Sequence, residues 1–269
     1  MDKIAIISDI HANKTALEAV LKDIKQREIT EIYCLGDLVS KGPRPNEVID
    51  LIKENCKIVL KGNCDDLMCS QRAKERGFWT RLKIGENNAN YLRNLPVMHE
   101  FYLSGQLVRL FHASPYSLEH IFNPMYSNKS NRYSKFEIQN AKEMFANTEF
   151  IGKSEKDNEP DIVGYGHIHT PNLYKFKNKT LFNTGSVGAA NEMENTGKED
   201  KTNAFSTLAS YVILEGKLNS KELGPISFTN IRIPYDIEQE IEILEKTDMP
   251  TKNKMIFNLK TASTNFEKE

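Results

Sequence analysis

Apolar positions in the first sixty residues fall into short solid runs separated by stretches of helical spacing. Ile4 to Ser8 is an apolar run of strand length, bounded by charge before and a polar motif after. Leu17, Val20, Leu21 and Ile24 then recur on one helical face. Ile32 to Leu35 predicts a second buried strand. Pro45 and Asn46 open a second helix that carries Val48, Ile49 and Ile52. Lys57 to Leu60 predicts a third strand. The order β-α-β-α-β predicts a parallel sheet with right-handed crossovers.

The pattern is less regular further on. Asp66 to Asn94 is polar with helical spacing around Phe78 and Trp79, and an inserted helical or loop region is expected over about 66–100. Leu107 to Phe111 predicts a strand. Ser117 to Tyr133, rich in Asn, Ser and aromatic residues, predicts a long loop, and loops of that length are often functional. A helix from Ser134 to Ala146 completes a second insertion, about 115–146. Strands are expected at Asp161–Tyr165, Leu173–Phe176 and Leu181–Asn183, and a mobile loop at Asn191–Asn203. Two longer runs, Phe205–Leu214 and Ile226–Ile233, are expected to join a second sheet in antiparallel fashion. A charged helix at Asp236–Lys246 leads into a polar tail, so that about 236–269 forms a charged, helical C-terminal segment. Neither repeat nor linker breaks the chain, which predicts one domain over 1–269.

Charge excludes some functions. Lys and Arg total 36, Asp and Glu 37, and the net charge is −1. Without a strong field or compact basic stretches, no stable nucleic-acid partner and no anionic membrane are expected. No apolar run approaches the ~18 residues of a membrane span. The start, MDKIAIISDIH, is a strand entering a polar motif and not a signal peptide. Cys34, Cys56, Cys64 and Cys69 form neither a C-x-x-C pair nor a zinc ribbon. Reduced thiols and a cytoplasmic location follow as expectations.

The candidate chemistry sits just after the predicted strands. Asp9 and His11 follow the first, Asp37 the second and Asn63 the third. His112 follows the strand ending at Phe111, and His167 and His169 follow the one ending at Tyr165. Functional groups of open α/β sheets gather at the carboxyl ends of strands. Glycine precedes Asp37, Asn63 and His167, where a residue without Cβ lets the chain turn close to a ligand. Mixed oxygen and nitrogen donors suit Mn, Fe or Zn better than Ca or Mg. Taken singly, Asp-x-His also reads as a helix cap and His112 as a satisfied core histidine. In order, each after a strand, the set reads as a metal site.

Together these residues resemble the calcineurin-like metallophosphoesterase superfamily. Its pattern D-x-H, G-D, G-N-x-[D/E], H, G-H-x-H reads here as Asp9-Ile10-His11, Gly36-Asp37, Gly62-Asn63-Cys64-Asp65, His112 and Gly166-His167-Ile168-His169. Asn183 to Gly188 matches a turn seen after the last ligands, and Arg232 to Asp236 resembles a closing strand of the bacterial branch. The resemblance implies a four-layer αββα sandwich of two mixed sheets flanked by helices. It implies two metal ions, one on Asp9, His11 and His169, the other on Asn63, His112 and His167, with Asp37 bridging. It also implies catalytic duty for Asp37, Asn63 and Asp65, and hydrolysis by a hydroxide shared between the ions. Gly36-Asp37-Leu38-Val39 with Lys41-Gly42-Pro43 is similar to a segment of bacterial dinucleoside tetraphosphatases and protein phosphatases. The whole looks most like streptococcal-type asymmetric diadenosine tetraphosphate hydrolases and phosphodiesterases.

Cys64 departs from the pattern, since many members carry a general-acid His there. A thiol is a poor substitute. Cys64 reads either as a small packing residue or as a sign of substrates that need no acid. An alkoxide leaving group gains about 10²–10⁴-fold from a proton, whereas a polyphosphate leaving group needs it less. That tilts the expectation toward phosphoanhydrides, with a small nucleotide or phosphoester as partner and a homodimer left open.

Lys41 and Arg44 read as phosphate grips or as solvated loop residues. Asn13 reads as a phosphate contact or as the cap of the first helix. Tyr116, Phe122, Tyr126 and Tyr133 either stack on a base or hold their loop down. Three other functions compete: a Ser/Thr-type phosphoprotein phosphatase or general phosphodiesterase, a scaffold that has lost catalysis, and a nuclease. The complete ligand set argues against the scaffold. The neutral charge gives a long polyanion little to bind.

Overall fold

In β1 (Asp2–Ile7) alternate residues serve two different cores. Ile4 and Ile6 face one cluster while Ala5 and Ile7 face another, and all four are fully buried. Burying each isoleucine contributes about 1.5–3 kcal/mol. A strand used on both faces belongs in the middle of a sandwich. The computed structural model describes residues 1–122, 124, 138, 140–152, 158–193 and 203–263.

β1, β2 (Glu31–Cys34) and β3 (Ile58–Val59) are parallel, joined through α1 (Lys14–Gln26) and α2 (Pro45–Asn55). The chain then enters three helices, α3 (Asn63–Cys69), α4 (Gln71–Glu75) and α5 (Trp79–Arg93). β4 (Met98–Leu103) and β5 (Gln106–Phe111) follow as a hairpin. β5, β6 (Ile162–Tyr165) and β8 (Lys179–Asn183) are parallel, and β7 (Asn172–Phe176) pairs antiparallel to β8. β9 (Asn191–Met193) and β10 (Asn203–Phe205) form a separate two-stranded ribbon. β11 (Leu208–Gly216) and β12 (Ser227–Pro234) precede α6 (Ile237–Glu245) and α7 (Lys252–Thr261).

The strand orders are β12-β11-β1-β2-β3 and β4-β5-β6-β8-β7, so both sheets are mixed. Ile4, Ile6 and Leu214 of the first meet Val108, Leu110 and Phe182 of the second in the central core. α1 and α2 cover the outer face of the first sheet, through Leu17, Val20, Ile49 and Ile52. Phe122, Met144 and Phe145 cover the outer face of the second. This is the expected four-layer α/β sandwich.

Four expectations need correction. The last two long strands extend the first sheet and not the second: β11 pairs antiparallel with β1, and β12 with β11. β1 is buried on both faces, so an uncovered edge there would leave its backbone groups unpaired. β4, for which no strand was expected, begins within the region of about 66–100 expected to be helical or loop and runs past its end. Its apolar alternation is interrupted by Glu100, which pairs across the ladder with the fully buried Arg109, Nε to Oε1 2.7 Å. The described ends of the expected mobile loop at Asn191–Asn203 are the ribbon strands β9 and β10. α7 lies within the segment of about 236–269 expected to be charged and helical. Residues 134–137 and 139 of the helix expected at Ser134–Ala146 lie outside the described residues; the described stretch holds a 3-10 turn, Ala141–Phe145, opened by Asn140.

Candidate metal centre

The candidate ligands sit on strained strand-end turns. Asp9, His11, Asp37, His167 and His169 have φ of 57°, 50°, 55°, 68° and 62°. Each left-handed non-glycine residue costs about 1–2 kcal/mol. Backbone bonds between neighbouring turns hold them there: Asp9 N–H to the Gly36 carbonyl, His11 N–H to Asp37 and Gly188 N–H to Asp9, at 2.9–3.0 Å. Gly36 has φ 105°, and a Cβ on it would lie 2.4 Å from the Gly62 nitrogen. The turns carrying Asp37 and Asn63 can approach this closely only because both positions are glycine.

Two groups of donors result, on either side of Asp37. In one, Asp9 Oδ1 is 3.2 Å from His169 Nε2 and 3.8 Å from His11 Nε2. In the other, Asn63 Oδ1 is 3.0 Å from both His112 Nε2 and His167 Nδ1. Asp37 spans them, with Oδ2 3.7 Å from His11 Nε2 and Oδ1 3.6 Å from His112 Nε2.

Backbone carbonyls fix three of the rings. Nδ1 of His11 donates to Val39 O at 3.3 Å, that of His112 to Leu35 O at 3.0 Å, and that of His169 to Ala189 O at 2.6 Å. With Nδ1 protonated, each Nε2 offers a lone pair to the site. His167 is the exception, because its Nδ1 turns inward to Asn63. Carbonyl partners leave no mark in a sequence, so these acceptors were invisible there.

The donor set fits cations. Nε2 atoms of His11 and His169 face each other at 3.0 Å as two lone pairs. The Lys41 ammonium lies 2.9 and 3.4 Å from them and supplies the positive charge. Asp9 Oδ2 accepts the His167 N–H at 2.9 Å, while Oδ1 is buried without a hydrogen-bond partner. Burial opposes ionisation of Asp9, but the imidazoles of His169, His112 and His11 hold its carboxyl well below the usual range. Burial and then Lys41 push His11 down, and burial and His112 push His167 down to about 4. These rings are neutral at pH 7, the form a metal ion requires.

Other predicted site residues have different work. Asp65, expected to be catalytic, is fully buried and turned away from the donors. Its oxygens accept N–H bonds from Asp37, Leu38 and Gly62 at 2.8–3.0 Å and from Val39 at 3.3 Å. Burial and the Asp37 charge push its carboxyl up to about 7. Those N–H groups need an acceptor, so Asp65 is a positioning residue that clamps the Asp37 turn to α3. Asn13 caps α1, accepting from Ala16 N–H at 3.0 Å, and is buried. Arg44 pairs with the buried Glu240 of α6 and donates to Thr15 at 2.5 Å, so its guanidinium ties the loop before α2 to α1 and α6. Phe122 packs in the outer core beside Tyr165. Tyr116 is exposed and stacks loosely on His120. Tyr126 and Tyr133 lie outside the described residues.

Cys64 does face the site. Its Sγ lies within 4.8 Å of ligand atoms of His11 and Asp37, and its N–H donates to Asp37 Oδ1 at 2.8 Å. Burial, then Asp37, push the thiol up, so it stays protonated.

Paired donor triads around a shared carboxylate, between two mixed sheets, define a phosphoesterase of the metal-dependent class. The calcineurin-like phosphoesterase superfamily domain matches residues 2–198, and the chain belongs to that superfamily. The uncharacterized protein MJ0912 of Methanocaldococcus jannaschii is 30% identical over 262 residues, which cover 92% of this chain and 93% of that protein. A metallophosphoesterase from Sphaerobacter thermophilus shares the fold with TM-score 0.66 at 22% identity, covering 97% and 99% of the two chains. The hypothetical protein PH1004 of Pyrococcus horikoshii OT3 does so with TM-score 0.68 at 18% identity, over 96% and 98%. The superfamily implies a dinuclear metal site. No described helix is long and apolar enough to cross a membrane.

Proposed function

We propose that this chain is a dinuclear-metal phosphohydrolase that cleaves phosphoanhydride or phosphodiester bonds of nucleotides such as diadenosine tetraphosphate. The observation that carries the reading is the convergence of Asp9, His11 and His169 on one side of Asp37 and of Asn63, His112 and His167 on the other. These residues would hold two ions, Mn or Fe by preference and Zn as a third choice. Bound there, the pair supplies Lewis acidity and lowers the pKa of water.

The chain's own groups supply the rest. Asp37 joins the two sides, and Asp65 fixes its backbone. Val39, Leu35 and Ala189 carbonyls hold three imidazoles in the tautomer that keeps Nε2 unprotonated. Lys41 has a stem long enough to leave the imidazoles and meet a substrate phosphate as a point charge. The four free cysteines support a reducing compartment, and we take the protein as cytoplasmic. We also take 1–269 as one domain, because α6 and α7 share a core with Trp79, Ala189 and Phe205.

The test is a substrate panel on Mn-reconstituted protein: diadenosine tetraphosphate, bis-p-nitrophenyl phosphate and a phosphopeptide, with products separated by chromatography. Unequal nucleotide products from the first are expected, and turnover of the phosphopeptide alone would overturn the reading.

The protonated Cys64 supports phosphoanhydrides over alkyl esters. Cys64→His should therefore raise turnover of alkyl phosphate monoesters by about 10²-fold, the lower end for an added general acid. Diadenosine tetraphosphate hydrolysis should change far less. An equal response of both substrates in initial-rate assays, with thermal melting to confirm folding, would remove the argument from leaving-group basicity.

A further inference from the structure

The candidate metal centre opens on a cavity of about 640 Å³. His167, His169 and Lys41 are among the residues that line it. Lys254, Met255 and Asn258 of α7, Phe205 of β10 and Ile121 line it as well. Cavities of ~300–1,000 Å³ hold whole small molecules, so this one exceeds the needs of a single phosphoryl group. α7 and Phe205 lie beyond residues 2–198 that match the superfamily domain.

The lining has two characters. Met255 and Phe205 are buried apolar residues presented to the cavity, with Ile121 and Ile168 beside them. A thioether and a phenyl ring suit the faces of a planar ring. Lys254, one residue before Met255, is an exposed lysine with no ion-pair partner among the described residues. Lys41 is bonded to His11 and His169. The cavity thus combines two cations, Lys41 beside the metal-centre imidazoles and Lys254 on α7, with buried apolar side chains and neutral polar ones such as Asn191 and Asn258. A monoester with one small anionic group would leave both the apolar side chains and Lys254 without a role.

We propose that α7 is the specificity wall of this enzyme: Met255 and Phe205 hold the base-bearing part of a nucleotide, and Lys254 binds a phosphate other than the one under attack. This rests on the nucleotide reading above and adds the residues that select for it. The predicted ligand class is a nucleoside carrying two or more phosphates.

The test pairs a selectivity ratio with a binding measurement. For Lys254→Glu, kcat/KM on diadenosine tetraphosphate divided by kcat/KM on bis-p-nitrophenyl phosphate should fall tenfold or more, mostly through KM. Lys254→Arg should restore the ratio. In calorimetry on the metal-free protein, adenosine diphosphate should bind, and Lys254→Glu should weaken it by a similar factor. Loss on both substrates by one common factor would make α7 a structural element only and overturn the proposal. So would an unchanged ratio, or no binding of adenosine diphosphate by the wild-type protein. If wild-type protein cleaves bis-p-nitrophenyl phosphate but not diadenosine tetraphosphate, the proposed substrate fails; the calorimetry still decides whether the cavity takes a nucleotide.

Discussion

Asp37→Asn is expected to lower kcat/KM on bis-p-nitrophenyl phosphate by about 10³-fold or more, at the upper end of what losing one transition-state contact does. The physical reason is the position of Asp37 between the two donor groups, 3.7 Å from His11 Nε2 and 3.6 Å from His112 Nε2. An amide of the same shape keeps an oxygen for the Cys64 N–H, now 2.8 Å from Oδ1, so the fold should stand. What it loses is the negative charge and the second oxygen that two cations would share. Metal content by mass spectrometry should fall together with activity, and the melting curve of metal-free protein should stay within about 1 kcal/mol of wild type, as for a near-isosteric change. A variant with full metal content and full activity would refute the bridging role.

How far this centre could be read from sequence depends on what kind of group was needed. The side-chain donors were legible because each follows an apolar run, and buried parallel strands write such runs plainly. The left-handed backbone at Asp9, His11 and Asp37 was not legible, because Asp and His only favour that region mildly and adopt it in few of their occurrences. The same holds for the Leu35, Val39 and Ala189 carbonyls, which every residue possesses. Long-range polar pairing misled more than it hid. Arg44 reads as a loop cation until Glu240, 196 positions later, comes to lie against it. Asp65 reads as an acid beside the ligands until its oxygens are counted against four N–H groups.

The fold shows the same division. β1 to β3 and their helices were predictable from local periodicity, but which sheet takes β11 and β12 was not. That choice is made by β1, whose free side needs a partner strand, and no window around Phe205–Leu214 contains β1. β4 was hidden by the buried pair of Glu100 and Arg109, which puts two charges where alternation calls for apolar residues. Arg109 is also held by the Ala146 carbonyl at 2.8 Å and Asn147 Oδ1 at 2.6 Å. α7 has few apolar residues, Met255, Ile256, Phe257 and Leu259, and it shares a core with Ile241 and Leu244 of α6 and with Phe205.

Arg44→Ala is expected to destabilise the protein by about 3–5 kcal/mol, the usual cost of removing one partner of a buried ion pair. That corresponds to a fall in Tm of roughly 6–20 °C for a chain of this size. Glu240 would stay behind, 2% exposed, with Thr15 alone, its hydroxyl at 2.6 Å and its backbone N–H, in place of the guanidinium. The loss should depend on pH, and its sign follows from Glu240. Burial already raises this carboxyl above its ordinary value, against the pull of Arg44 and Thr15. Without Arg44 it rises further, so the native state binds a proton more readily than the unfolded chain does. Stability lost at neutral pH should then be partly regained as pH is lowered through the folded-state pKa, where Glu240 becomes a neutral donor. Adding Glu240→Gln to Arg44→Ala should recover a similar part at pH 7 and abolish that pH dependence. Because α6 leads directly into α7, the single variant should also loosen the cavity wall and lower the nucleotide selectivity ratio. Denaturant melts at pH 5 and pH 7 decide the matter: a deficit of the same size at both would mean that Glu240 is not left as a buried charge.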